Sequence, residues 1–355
     1  MKALLLAGGT GTRLRPFSYS MPKQLIPIAN RPVLEHVLDN IRALGVVDIG
    51  VVVGDHGPEI ADALGDGSRF GLRLTYLHQT APLGLAHAVL VAGDFLGDDD
   101  FVMYLGDNML PQGVTAALEA FLTARPAVQT IVHKVPDPSA FGVAEIDAGG
   151  RVTRLVEKPA APRSDLALIG VYFFTPAIHE AIAAITPSAR GELEITDAIQ
   201  WLVERGSDVR AHEYTGYWKD TGRVEDVLAC NRELLEGLRR SVLGHVDDAS
   251  RLIGAVVLEA GARVVRSRIE GPAVIGAGSL IEDSSIGAHT SVGRNCRISG
   301  TRLDCSIALD GATVTGVRGL YGSVIGRGAV VGVAEDEPRG HRLVVGDHTH
   351  VEVAA

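Results

Sequence analysis

Up to about residue 236 the hydrophobic positions form short apolar runs alternating with amphipathic stretches; beyond it they settle into a six-residue beat. Lys2-Ala3-Leu4-Leu5-Leu6-Ala7 is an apolar run with the length of a buried strand. Between Pro32 and Gly45, Val33, Leu34, Val37, Leu38, Ile41 and Leu44 share one helical face, with Pro32 suited to the first turn and Gly45 to the end. The same reading predicts strands over 46–53, 72–77 and 100–105, and helices over 57–65 and 84–91. Strands then crowd together at 128–135, 141–147, 152–156 and 166–174, followed by helices at 176–184, 195–205 and 223–236. This alternation belongs to the α/β class: a Rossmann-like, mixed, mostly parallel sheet with helices on its faces, whose ligands sit beyond the carboxyl ends of the strands.

The second half carries a different period. Val274, Leu280, Ile286, Val292 and Ile298 recur every six residues, with Gly276, Gly287 and Gly293 among them. The beat continues less regularly through Leu303, Val314 and Val324-Ile325-Gly326. A period of six with small residues is the mark of a hexapeptide β-helix, whose coils stack one on the next. The expected organisation is therefore a first domain over 1–236, a polar linker over 237–251 and a β-helix over 252–355. The stretch from His341 to Val353 is expected as one more strand or a tail.

Composition narrows the class. The 355 residues are 46% hydrophobic and 21% charged, a soluble globular balance. A net charge of −10 disfavours a nucleic-acid partner, which calls for a basic face. Cys230, Cys296 and Cys305 have no metal-ligand spacing and read as free thiols in a reducing, cytoplasmic setting. No run is long enough to span a membrane, and the run before the first glycines is too short for a signal peptide. Anionic substrates would need local cations to overcome the acidic field.

Such cations stand beside the first glycine turn. Gly8-Gly9-Thr10-Gly11-Thr12-Arg13-Leu14-Arg15-Pro16 follows the opening strand, and Pro22-Lys23-Gln24-Leu25-Ile26-Pro27 comes soon after. Consecutive backbone N–H groups in such a turn form a concave anion site, and Arg13 and Lys23 add full charges. A Walker A loop would need Gly-Lys-Ser/Thr, which is missing; a dinucleotide fingerprint would need glycine where Leu14 stands. The stretch reads as a polyphosphate cradle. Asp107, after the strand in Leu105-Gly106-Asp107-Asn108, and Asp220, in Tyr217-Trp218-Lys219-Asp220, are each ordinary turn residues alone. Together with a phosphate cradle they suit Mg²⁺, which takes one or two carboxylates plus phosphate oxygens.

Leu6-Ala7-Gly8-Gly9-x-Gly11-Thr12-Arg13-Leu14-x-Pro16 with Pro22-Lys23 resembles the signature of the sugar-1-phosphate nucleotidylyltransferases, and Lys23-Gln24-Leu25-Ile26-Pro27 looks most like the glucose-1-phosphate thymidylyltransferases among them. The repeats resemble the left-handed β-helix attached to many members. The resemblance implies transfer of a thymidylyl group from dTTP to glucose 1-phosphate with release of pyrophosphate. It implies nucleotide contacts from Gly8, Gly9, Gly11, Thr12, Arg13, Gln24, Gln79, Gly84 and Asp107, and Mg²⁺ held by Asp107 and Asp220. Sugar-phosphate contacts fall to Gly142 of Phe141-Gly142-Val143, to Glu157-Lys158-Pro159, to Tyr172 and to Arg190 of Arg190-Gly191-Glu192-Leu193-Glu194-Ile195-Thr196-Asp197. Arg13, Lys23 and Lys158 become the catalytic cations. Another base or sugar (UTP, N-acetylglucosamine 1-phosphate) is the alternative within the family. Outside it stand acyl transfer on the β-helix, using His289 or His245, and a non-enzymatic homologue. Outward coil faces of the β-helix are expected to join copies into a homo-oligomer.

Overall fold

The opening apolar run becomes strand β1 (Lys2–Leu6), whose residues Ala3, Leu4 and Leu5 are wholly buried. The structure, a computed structural model, describes residues 1–333 and 345–352. The chain packs as two compact units: Met1–Thr10 with Val33–Asp220, and Gly11–Pro32 with Thr221–Ala355.

In the first unit, β1 is followed by α1 (Val33–Ala43), β2 (Asp48–Val53), α2 (Gly57–Leu64), β3 (Arg73–His78), α3 (Leu85–Val91), α4 (Gly93–Leu96) and β4 (Phe101–Leu105). Then come β5 (Asn108–Met109), α5 (Thr115–Ala124), β6 (Val128–Lys134), β7 (Gly142–Ile146), β8 (Val152–Glu157), β9 (Leu166–Phe174), α6 (Ala177–Ala184), α7 (Ile195–Glu204), β10 (Val209–Glu213) and β11 (Lys219–Asp220). The sheet runs β8-β7-β9-β4-β1-β2-β3, with β6 pairing both β9 and β10. Strands β3, β2, β1 and β4 are parallel, and β9 runs antiparallel to β4. Strand β1 lies between β2 and β4, so the chain order reverses there, and the loop leaving β1 opens where α/β sheets bind ligands. One face of the sheet is covered by α3, α6 and α7 through Ala86, Val89, Ile178, Ile182, Ile195 and Ile199, all buried.

Five elements of this unit, α4, β5, α5, β10 and β11, lie outside the sequence expectation. Helix α5 is apolar nearly all round and shows little periodicity, and β10 (Val209-Arg210-Ala211-His212-Glu213) is a polar edge strand drawn in by parallel pairing with β6. Pro32 belongs to a short hairpin, Pro27–Ile28 against Arg31–Pro32, and α1 begins one residue later.

The second unit holds α8 (Val224–Glu236) and three stacks of parallel strands. The stacks fit the expected left-handed β-helix. Its core is a column of Ile275, Ile281, Ile286, Val292 and Ile298, continued by Leu303 and Val314. Val274 and Leu280, two of the positions on the six-residue beat, are outside this column, and their neighbours Ile275 and Ile281 take the core places. The reason is the length of the coil: Arg251 stacks on Arg268, Arg268 on Ser285 and Ser285 on Arg302, a step of 17 residues rather than 18. One side of each of these coils is a residue short, which shifts a strict six-residue count by one per coil; Val292 to Ala308 and Ile298 to Val314 step by 16. Residues 237–251, expected as a linker, carry the strands Ser241–Val242 and His245–Val246, which pair with the following coil. They escaped notice because Ser241 and His245 are exposed, which leaves a polar surface pattern. Of the expected final strand or tail, 341–344 and 353 lie outside the described residues, and 345–352 carry no strand. Among the described residues no helix is long and apolar enough to cross a membrane.

Asn231 on α8 is fully buried and ties the second unit together. Its Oδ1 accepts from Ala29 N at 2.9 Å and Ser291 Oγ at 2.6 Å, and its Nδ2 donates to His289 O at 3.1 Å. Asn231→Leu keeps the volume and strands all three partners. With each buried orphan costing about 1–3 kcal/mol, a loss of about 3 kcal/mol or more is expected. Thermal and urea unfolding of the variant read it directly; a midpoint shift within about 1 °C would remove this tie from the account.

Candidate active site

The carboxyl ends of β1, β2, β3 and β4 line up through backbone bonds: Ala7 N to Val52 O at 2.8 Å, Gly106 N to Leu6 O at 2.8 Å and Gln79 N to Val53 O at 2.8 Å. Gly8, Gly54, Gln79 and Gly106-Asp107 are thereby set along one edge. The backbones of Gly8 and Gly54 come close: a Cβ on Gly54 would stand 3.2 Å from Gly8 O.

At this edge Gln79 is half-buried, and its Nε2 donates to Gly84 O at 3.3 Å and lies 2.9 Å from His87 Nδ1. Its Oε1 faces Gly8, 3.6 Å from where a Cβ there would stand. Gly84 has φ 105° and ψ 170°, a backbone region open to glycine alone, and a Cβ would run into Leu193 O. The approach is fixed by Leu193 N donating to Leu83 O at 2.8 Å and Ala86 N donating to Leu193 O at 3.1 Å. A flat base laid here meets a bare backbone and an amide.

Asp107 and Asp220 come together through a two-residue antiparallel ladder in which β11 pairs β5, Asp220 opposite Asn108. Asn108 is buried; its Nδ2 donates to Asp107 Oδ1 at 3.1 Å and its Oδ1 accepts from Trp218 Nε1 at 2.7 Å. Room for Asn108 comes from a bulge in β9, where Gly170 has φ 75° and a Cβ would stand 2.8 Å from Asn108 Nδ2. No group of three or more His, Cys, Asp and Glu able to hold a metal exists among the described residues. Asp107 and Asp220 would offer two carboxylates, all oxygen. That fits Mg²⁺, which prefers hard oxygen ligands and completes its shell with water and phosphate.

Around the ends of β7 and β8, Gly142 faces Glu157 across the ladder, and Lys158 N donates to Phe141 O at 3.0 Å. Glu157 Oε2 accepts from Thr196 Oγ1 at 3.2 Å, while its Oε1 lies 3.4 Å from Lys158 Nζ and 3.4 Å from Arg190 Nη1. Arg190 also reaches Glu194 at 3.2 Å and Glu192 at 3.0 Å. Burial pushes the Glu194 and Asp197 carboxyls above the usual carboxylate range, with Glu157 adding to both. Tyr172 is buried, stacked on Phe174 at 5.8 Å, and burial next to Glu157 pushes its hydroxyl up.

The rest of the glycine loop belongs to the second unit and forms its own local structure. Gly11, at φ 64°, opens a turn over Thr12–Leu14, and a Cβ there would lie 2.7 Å from Lys23 Cβ. Thr12 and Arg13 are exposed, Lys23 is half-buried and Gln24 is 2% exposed. His289 Nε2 lies 2.6 Å from Glu236 Oε1 of α8. A cavity of about 550 Å³ on the β-helix is lined by Arg251, Arg266, Arg268, Arg302 and Arg318 among others, and by no histidine.

Within the first unit, then, Gly8, Gln79 and Gly84 lie together, the segments of Asp107 and Asp220 are paired, and Gly142, Lys158, Tyr172 and Arg190 lie around Glu157. Sequence reasoning missed His87, Asn108, Gly170, Leu193, Thr196 and Trp218 as positioning residues. Asn108, Leu193, Thr196 and Trp218 lay inside quoted motifs, but each has a partner far along the chain.

A model of the nucleotidyl transferase family matches residues 2–237. The chain is 53% identical over 355 residues to a glucose-1-phosphate thymidylyltransferase of Streptomyces griseus, with 100% of both chains covered. It is 55% identical over 354 residues to a protein of the same name from Streptomyces antibioticus, with 99% of each covered. A crystal structure assigned to a glucose-1-phosphate thymidylyltransferase of Bacillus anthracis, in complex with sucrose, matches with a TM-score of 0.63 at 33% identity, covering 68% of this chain and 97% of that one.

Gly84→Ala is expected to cost about 3 kcal/mol or more, from the forbidden backbone region and displacement of Leu193. Gly93→Ala, on α4 with open space at its Cβ, is neutral or stabilising by up to about 1 kcal/mol. Parallel thermal melts of the two variants check the contrast; equal midpoints would show that the Leu193 approach is not tight.

Proposed function

The chain belongs to the nucleotidyl transferase family, and from that premise we propose that it joins dTTP and glucose 1-phosphate to give dTDP-glucose and pyrophosphate. The observation that supports the reading is that one unit holds the Gln79 amide against Gly84, the segments of Asp107 and Asp220 paired through β5 and β11, and the polar cluster of Glu157, Lys158 and Arg190.

The chemistry asks little of a base. Glucose 1-phosphate is already anionic, so its phosphate oxygen attacks the α-phosphorus of dTTP directly and pyrophosphate leaves opposite it. What opposes the reaction is repulsion between two phosphates and the need for alignment. Gln79 and the bare backbone of Gly84 receive thymine. Glu157 accepts from a sugar hydroxyl, the Gly142 backbone and Tyr172 border the ring, and Lys158 with Arg190 hold the sugar phosphate. The motif assigns Gly8, Gly9, Gly11, Thr12, Arg13, Lys23 and Gln24 to the triphosphate and its nucleoside. Asp107 and Asp220 would hold Mg²⁺, which when bound supplies positive charge between the phosphates. Asn108 and Trp218 keep the Asp107 carboxylate in place for it.

A matrix of dTTP, UTP, ATP and GTP against glucose 1-phosphate and N-acetylglucosamine 1-phosphate, read by pyrophosphate release, tests the pairing. The dTTP and glucose 1-phosphate cell should turn over fastest; a higher kcat/KM for UTP with N-acetylglucosamine 1-phosphate would replace the substrates. Lys158→Ala should lower kcat about 10²–10³-fold, as loss of one charge-stabilising donor does, and leave dTTP affinity by calorimetry within about twofold. Chiral α-phosphorothioate substrate should show inversion, and isolation of a nucleotidyl-enzyme would overturn the single displacement.

A further inference from the structure

We propose that His87 is the positioning residue that sets base selectivity, by locking the Gln79 amide so that only its carbonyl oxygen is presented to the base. The proposal rests on Gln79 being the base reader of the function above.

The orientation of the amide follows from what surrounds it. Gly84 O can only accept, so the Gln79 atom 3.3 Å from it is the NH₂ nitrogen. The same nitrogen lies 2.9 Å from His87 Nδ1. That ring nitrogen must therefore accept, which makes His87 the neutral tautomer with its proton on Nε2. Both hydrogens of the Gln79 amide are then used, one on Gly84 O and one on His87 Nδ1. What remains for a ligand is Oε1, a pure acceptor lying beside the Gly8 backbone.

A pure acceptor discriminates between bases by one atom. Thymine and uracil present N3–H, a donor; cytosine N3 and adenine N1 present lone pairs. An amide free to turn over could offer NH₂ instead and would accept cytosine. Gly84 O alone holds the orientation through one long bond. His87, on the first turns of α3 and half-buried, supplies the shorter one. His87 acts through Gln79 and touches no reacting atom, so its signature is in base choice, with chemistry at saturating dTTP unchanged.

The test compares kcat/KM for dTTP and dCTP, which share sugar and phosphates, in the wild type, His87→Leu and His87→Gln. Leucine fills the place without an acceptor; the glutamine amide oxygen restores one. For His87→Leu the dTTP/dCTP ratio should fall about tenfold, the worth of one buried hydrogen bond. The fall should come mainly from a higher KM for dTTP, with kcat within about twofold of wild type. His87→Gln should regain most of the ratio. An unchanged ratio in His87→Leu, or a His87→Gln variant that behaves like His87→Leu, overturns the role of His87 while leaving the dTTP reading in place. A wild type that turns over dCTP as well as dTTP overturns the base-reader assignment itself. Thermal midpoints of both variants separate a folding defect from a change in selectivity, and His87→Gln decides the matter if His87→Leu does not fold.

Discussion

The site depends on one backbone approach, Leu193 against Leu83 to Ala86. It needs a glycine at 84 because any Cβ would occupy the space of Leu193 O. It has two consequences for ligands. On one side it presses the segment after Gln79 into the conformation that bares its backbone. On the other it anchors the stretch from Arg190 to Thr196, whose side chains grip Glu157. A single pair of backbone hydrogen bonds therefore sets the distance between the Gln79–Gly84 end and the Glu157–Arg190 end. Both ends are half-buried and polar, so neither could be held by apolar packing. Regular hydrogen-bonded backbone is the stiffer support.

Charge is handled within the same cluster. Glu157, Glu192, Glu194 and Asp197 outnumber Arg190 and Lys158, in a chain already acidic overall. Taking carboxylates out of water disfavours their charged form, which is why Glu194 and Asp197 titrate higher than usual. Arg190 is the counterweight, spread over three carboxylates rather than committed to one. An arginine so shared can turn toward an arriving phosphate while Glu157 keeps Thr196 as a neutral partner and Glu194 keeps Ser188. The Arg190–Glu192 pair, partly exposed, contributes little to stability.

The strands and helices that point their motifs at the sheet edge were legible because each carries a local period. Helix α1 shows a five-member apolar face, and β9 reads as an unbroken apolar run that is buried throughout. Much of what was not legible depends on a partner elsewhere in the chain. Strand β10 is polar and becomes a strand only because β6 offers an edge. Asn108 looks like a turn residue until Trp218, far along the chain, donates to it. His87 looks like a helix residue with an exposed or buried ring, and nothing in Gly84-Leu85-Ala86-His87 says that its Nδ1 faces Gln79. The motifs pointed to candidate site residues. The residues that hold those motifs in place leave no local signature, since one hydrogen bond imposes no period.

The β-helix shows the same limit from the side of regularity. Its six-residue beat is real, yet a coil of 17 residues makes a strict count fail for Val274 and Leu280. The short side is supported by side chains at the corners. Ser267 Oγ accepts from Ser284 N at 3.0 Å and Ser284 Oγ from Thr301 N at 3.1 Å, one coil after another. Each hydroxyl meets a backbone donor that the tight corner would otherwise leave unpaired inside the protein, where an orphan is expensive. Small hydroxyl residues at that column are therefore a requirement of the shortened coil. The column Ser267, Ser284, Thr301 repeats with the true period of 17, so the polar residues mark the register of this helix more faithfully than its aliphatic ones.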